Sequence, residues 1–189
     1  VSKLANIFYP DKADYLPSKK QYLLRAGFKG IQTKLERSML NLTNEIYLEA
    51  IPLVEAQIDH LTIPVENVGK ITIPEKFQGV SQITYFISTI GRRIEERIER
   101  YSDSGETTKA TLLDAWASES LEELNENFDK QLRKKHHKGT MRFSPGYSDL
   151  NLSENKKIID LLQCRIVSVH PISAMLSPQK STVCMIGWY

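Results

Sequence analysis

Between residues 106 and 135, apolar side chains recur every three or four positions: Leu113, Trp116, Ala117, Leu121, Leu124, Phe128 and Leu132. That spacing draws one stripe down one face of an α-helix, and a run of this length predicts a helix of roughly 45 Å at 1.5 Å per residue. A shorter helix is predicted over 92–103. Ile94 and Ile98 face inward there, the Glu95–Glu99 and Arg93–Arg97 pairs face outward, and Ser104-Gly105 marks the end. Ser18 is placed to cap a short helix in "KKQYLLRAGF", punctuated by Gly27 and Gly30, and Ser153 to cap another in "ENKKIIDLLQ". From Thr33 to Gln57 the residues Leu35, Met39, Leu42, Ile46, Leu53 and Val54 keep helical spacing, and Pro52 should kink or divide the run.

The period changes to two in "HLTIPVENVGKITI". Leu61, Ile63 and Val65 alternate with polar residues, Asn67 to Gly69 supply a turn, and Ile71 and Ile73 alternate again, which predicts a hairpin. Pro64 and Pro74 place these arms at sheet edges or strand ends. "SQITYFISTIG" predicts a strand running to Gly91, and "CRIVSV" and "STVCMIGWY" predict two more around the irregular "HPISAMLSPQK". Strands and helices come in blocks without strict alternation. The fold class is therefore α+β: a single domain with a mainly antiparallel, twisted sheet and several helices, one of them long.

Composition agrees with a folded domain. The chain has 189 residues, 41% hydrophobic and 25% charged, which suits one substantial unit or two small ones. A formal net charge of +2 is too small to specify a nucleic-acid or membrane surface. No apolar run reaches the roughly 18 residues of a membrane span. The N-terminal stretch has no leader pattern, and its start at Val1 implies that residues precede it. Cys164 and Cys184 fall in predicted strands and read as reduced core thiols, which makes the cytoplasm the expected location.

Few constellations of chemistry stand out. His136 and His137 are adjacent, so they do not share a helix face, and no acidic or thiol ligands accompany them at metal spacing; they read as a solvated basic helix end. "RKKHHK" lacks interleaved aromatics, which argues against nucleic-acid binding. "HHKG" contains the His-x-x-Gly fragment of a cobalamin-binding motif, but Lys134 stands where that motif needs Asp, so a corrinoid is not expected on this chain. No phosphate loop, GxSxG, HExxH or paired-cysteine motif occurs, so no catalytic residue and no metal site is assigned. There remains "RFSPGYSDL" (142–150). An Arg fork can grip a carboxylate, Gly146 lets a ligand approach the backbone, Pro145 stiffens the segment and Tyr147 offers a flat face. Those residues equally suit a plain Pro-Gly turn.

The surrounding segments bear on that choice. "RFSPGYSDLNLSENKKIIDLL", with its Arg-x-x-x-Gly-Tyr pattern, closely resembles the activation (reactivation) domain of cobalamin-dependent methionine synthase. "FISTIGRRIEERI" with "GETTKATLLDAWASESLEELNE" resembles the strand, Gly turn and helix pair of that family. "ISAMLSPQKSTVCMIGWY" resembles its late loop and strand. The resemblance covers about 83–189 of a unit spanning 1–189, with 1–80 as an N-terminal helical and hairpin part.

The resemblance implies S-adenosylmethionine binding and docking on the cobalamin-binding domain of a methionine synthase, so that inactive cob(II)alamin is reduced and remethylated. Cobalamin is then supplied by the partner, and a flavodoxin-like or other protein donates the electron. The chain would be a component of a methyltransferase, with a positioning task. Carried over by position, Arg142 holds the methionine carboxylate, Ser144, Pro145 and Gly146 receive the adenosine, and Tyr147 lines the pocket. Glu123 stands near the amino and sulfonium end, and Ser173, Ala174 and Met175 belong to one wall. The family's N-terminal acidic contact has no counterpart at Asp11 or Asp14. The alternative is an interaction module for another corrinoid protein, with weak or no S-adenosylmethionine binding.

Overall fold

The computed structural model describes residues 4–28 and 36–189. Along the chain run β1 (Asn6–Phe8), α1 (Lys12–Tyr15), α2 (Lys19–Arg25), α3 (Arg37–Ala50), β2 (Gln57–Pro64), β3 (Gln82–Thr89), α4 (Arg93–Asp103), α5 (Thr107–His136), α6 (Glu154–Leu162), β4 (Ser168–Val169), β5 (Leu176–Ser177) and β6 (Ser181–Trp188). The main sheet has the order β1-β2-β3-β6 and every pairing is antiparallel, while β4 and β5 form a small separate hairpin. The class is α+β with one long helix, as the hydrophobic periods predict.

The sheet is covered on both faces, which explains why β3 is buried along nearly its whole length. Ile58, Phe86, Cys184, Ile186 and Trp188 point to one side, where α5 and the other early helices bury Trp116, Leu113, Leu124 and Phe128 against them. Leu61, Ile83, Tyr85, Val183 and Met185 point to the other, under α6 and the 65–81 connection. The predicted α5 stripe is the one that packs: all seven residues are buried except Leu121, which is partly buried against the same cluster.

Several expectations need correction. Residues 70–74 are not the second arm of a hairpin. β2 pairs with β3 across a long connection built from turns and single 3₁₀ turns at 65–67 and 75–77. Proline at 74 cannot donate to a ladder, and Ile71 is instead a buried plug in the α6-side core. "CRIVSV" contributes only Ser168 and Val169 as strand, and Cys164 lies half-buried in the loop after α6. Both cysteines are free thiols. Ser18 does cap α2, accepting from the Gln21 N–H at 3.2 Å. Ser153 makes no cap hydrogen bond, and Asn151 Oδ1 accepts from the Ser153 N–H at 2.9 Å. Pro52 divides the central run as expected, ending α3 in a 3₁₀ turn, while Gly30, Thr33 and Leu35 lie outside the described residues. Lys134, Lys135, His137 and Lys138 are exposed at the helix end as expected, but His136 is half-buried, its ring stacked on Trp188 with centroids 4.7 Å apart. No helix among the described residues is long and apolar enough to cross a membrane.

Candidate functional site

After α5 the chain turns back and runs beside β6. Phe143 and Met185 exchange backbone hydrogen bonds at 2.9 and 2.8 Å, and Gly139 bridges to Trp188. Gly139 is required there, since a Cβ would stand 2.4 Å from the Trp188 ring. This cover reaches only the second half of β6. Strand alternation points the N–H and C=O of Val183 to the same edge as those of Met185, beyond the last bridge.

A cleft of about 600 Å³ opens at that uncovered edge, within the range of small-molecule sites. Its walls come from distant parts of the chain. Glu122 and Asn125 come from α5, Arg142, Ser144, Pro145 and Tyr147 from the return segment, and Leu152 and Asn155 from around the start of α6. Ala174, Met175 and Leu176 come from the β4–β5 hairpin and its end, and Gln179 to Cys184 from the approach to β6 and its first half. Of the residues named from the sequence, Arg142, Ser144, Pro145, Tyr147, Ala174 and Met175 line the cleft. Gly146 adjoins it, at φ +95°. Ser173 sits at the hairpin tip, where its N–H donates to His170 Nδ1 at 3.2 Å. Glu123 is on another face of α5, accepting from Asn127 Nδ2 at 3.1 Å, and the carboxylate that α5 presents to the cleft is Glu122.

Arg142 carries the electrostatics of the cleft. Its Nη2 pairs with Glu122, while its Nη1 is buried and has no partner among the described residues. Beside it the Ser144 hydroxyl lies 3.2 Å from the Cys184 thiol, whose pKa burial pushes up to about 11, so Cys184 stays a neutral thiol. Asn125 is locked into the floor: its Oδ1 accepts from Ser88 Oγ at 2.5 Å, and its Nδ2 donates to Thr182 Oγ1 at 3.3 Å.

The remaining wall is held by groups outside the site residues named from the sequence. Glu95 does not face outward with Glu99; its carboxylate accepts the Lys180 N–H at 2.5 Å. Burial raises its pKa, against the backbone N–H groups of Lys180 and Gln179, which favour the charged form. Lys180 Nζ reaches Asp114 at 2.7 Å and Ser118 Oγ at 2.8 Å. Asn155 Nδ2 donates to the Ala174 carbonyl at 3.1 Å. Asp114, Ser118, Glu122 and Asn125 form a polar row at helical spacing beside the apolar stripe of α5. That row is the sequence signal that would have separated Glu122 from Glu123.

No protein-family profile matches the sequence, and no curated protein does. Among solved structures, the chain is similar to the crystal structure of the MetH reactivation domain bound to AdoHcy. The TM-score is 0.71 at 12% identity, and the match covers 97% of this chain and 78% of that one. The likeness is one of fold. It extends over the early helices and β1–β2 as well as the later segments on which the sequence resemblance rests.

Proposed function

We propose that this chain is an S-adenosylmethionine-binding reactivation module that docks on a cobalamin domain of a methionine synthase and supports reductive methylation of its inactive cob(II)alamin. The observation that carries this reading is Arg142: a guanidinium with one buried nitrogen that has no partner among the described residues, set in a cleft of about 600 Å³. The fold likeness to a domain solved with AdoHcy gives that cleft its chemical context.

The residues suit a zwitterion carrying a planar base. Arg142 Nη1 grips the carboxylate. Glu122 offers its charge to the ammonium and sulfonium end, the partner role that the resemblance assigned to Glu123. The bare Val183 edge and the Ser144–Pro145 backbone supply donors and acceptors for the adenine, and Tyr147, exposed at the mouth, covers the ring. Bound S-adenosylmethionine supplies a methyl group to reduced cobalt on the partner. The chain's own task is to hold that donor with its methyl end toward the mouth, and no acid, base or nucleophile is needed for it.

Titration calorimetry tests the ligand. S-adenosylmethionine should give saturable heat with wild type, and Arg142→Gln should bind at least tenfold more weakly, in line with about 1.5–3 kcal/mol for a hydrogen bond to a charged group. Absence of heat from both proteins would remove the donor-binding reading. The role is tested by adding the chain and a reductant to a cob(II)alamin-inactivated methionine synthase and following methylcobalamin by its visible spectrum. Binding without recovery of methylcobalamin would leave a module that serves a different corrinoid protein.

A further inference from the structure

A second cavity, of about 390 Å³, lies away from the cleft and shares no residue with it. It is walled by β1 and its flanks, the start of β2, and the end of α6 with the chain just after it. Its rim is apolar and open: Leu4 is 75%, Ile7 55% and Tyr9 70% exposed. At its floor stands Asp59, only 5% exposed and directly across the β1–β2 ladder from Ile7.

The surroundings of Asp59 are unusual for a buried carboxylate. Gln57 Nε2 donates to its Oδ1 at 2.7 Å, and the Cys164 thiol is a second neutral neighbour. The Cys164 pKa is pushed up to about 11, first by burial and further by the Asp59 charge, so the thiol stays a neutral donor. Asp59 forms no ion pair among the described residues. Arg165 lines the same cavity but is exposed, and it also forms no ion pair among the described residues. A buried carboxylate whose hydrogen-bonding neighbours among the described residues are neutral is costly, and a cation delivered on an apolar stem would relieve that cost while covering the rim.

We infer that this cavity is a binding site for an alkylammonium group, the ammonium reaching Asp59 and the alkyl stem lying along Leu4, Ile7 and Ile166. The ammonium can come from a free amine or from a lysine side chain of a partner peptide. The chemistry of the site is the same for both. This site does not depend on the S-adenosylmethionine reading.

Methyl-group NMR of the whole chain tests it, with n-hexylammonium as probe and 1-hexanol and hexanoate as neutral and anionic controls. The Leu4, Ile7 and Ile166 methyl signals should shift with n-hexylammonium at least tenfold more tightly than with 1-hexanol. Asp59→Asn should abolish that preference. Ile7→Lys, which supplies an ammonium from the facing position of the ladder, should block the probe and raise Tm, and it serves if Asp59→Asn folds poorly. A peptide with one lysine between apolar residues, compared with its norleucine analogue, separates the two sources: lysine-dependent shifts tighter than those of n-hexylammonium identify a peptide, and weaker ones a free amine. Equal response to 1-hexanol and n-hexylammonium, or no response because Arg165 already neutralises Asp59, would overturn the inference.

Discussion

At the scale of single residues, Gly146 is the sharpest case. Its φ of +95° lies where a side chain is strained, and a Cβ would stand 3.2 Å from Leu152 Cδ1 on the cleft wall. Gly146→Ala should therefore cost about 1–2 kcal/mol, a fall in Tm of roughly 2–8 °C in a thermal melt. His60 gives a second prediction. It faces Phe128 at 5.2 Å, its Nδ1 is buried with no hydrogen-bond partner among the described residues, and its pKa is lowered, first by burial and then by Lys135, against a smaller opposing effect of Asp59. The unfolded chain then binds protons that the folded one refuses. Stability is full above the ordinary histidine value of about 6.5 and is lost as pH falls from there through the folded pKa. His136 acts in the same direction, also chiefly through burial. The contribution of His60 is the difference between wild type and His60→Phe, and the drop in Tm between pH 7.5 and 5.5 should be smaller in the variant. The residues of 142–147 showed a turn with an Arg at its edge, and the structure places Arg142, Ser144, Pro145 and Tyr147 on one cleft; the local signals alone did not separate a ligand cradle from a plain turn. Glu122 differs from Glu123 by a rotation of about 100° around α5, and its place in the polar row with Asp114, Ser118 and Asn125 is the local pattern that marks it. That this row faces the return segment 142–147 is set by tertiary packing alone.

At the scale of elements, legibility followed the range of the interactions. α5 and α4 were readable because their period is written within one helix, and Ile94 is buried where the spacing put it. The strand pairing of β2 was misread because two apolar alternations separated by a turn look like a hairpin, whatever either arm pairs with in space. The true partner, β3, supplies a continuous ladder from Gln57–Thr89 to Pro64–Gln82, which the proline-bounded 70–74 segment cannot match. The β4–β5 hairpin has only two residues in each strand, and β4 pairs with no strand but β5, so its hold on the cleft comes from side chains such as Asn155. Removing that donor should loosen the hairpin without unfolding the sheet. Asn155→Ala should speed hydrogen exchange across 168–177 by about fivefold or more, in line with a net hydrogen-bond contribution of about 1 kcal/mol. Exchange in β3 and α5 should be unchanged. Uniform acceleration would mean that Asn155 supports the whole α6 layer.

At the scale of the whole molecule, the sheet separates two apolar cores, and the cleft is one place where both layers meet. α5 comes from one side, α6 and the small hairpin from the other, and the open edge of β6 lies between them. A ligand in this cleft therefore contacts groups whose relative positions are fixed only when both layers are docked. Linkage makes that measurable: a ligand that binds only the folded state adds about 2.7 kcal/mol at a hundredfold excess over its Kd. S-adenosylmethionine at that excess should slow exchange in 142–147, in α6 and in 174–183, because opening either layer releases the ligand. The α2 and α3 helices pack on α5, and none of their residues lines the cleft. Their local openings keep the ligand bound, so their exchange should slow only where it already requires global unfolding. Protection confined to α2, α3 and the face of α5 that packs on them would place the ligand elsewhere and would contradict the cleft as its site. With Arg142→Gln the protection at 142–147 should disappear at the same ligand concentration, while the exchange pattern of the free protein stays as in wild type.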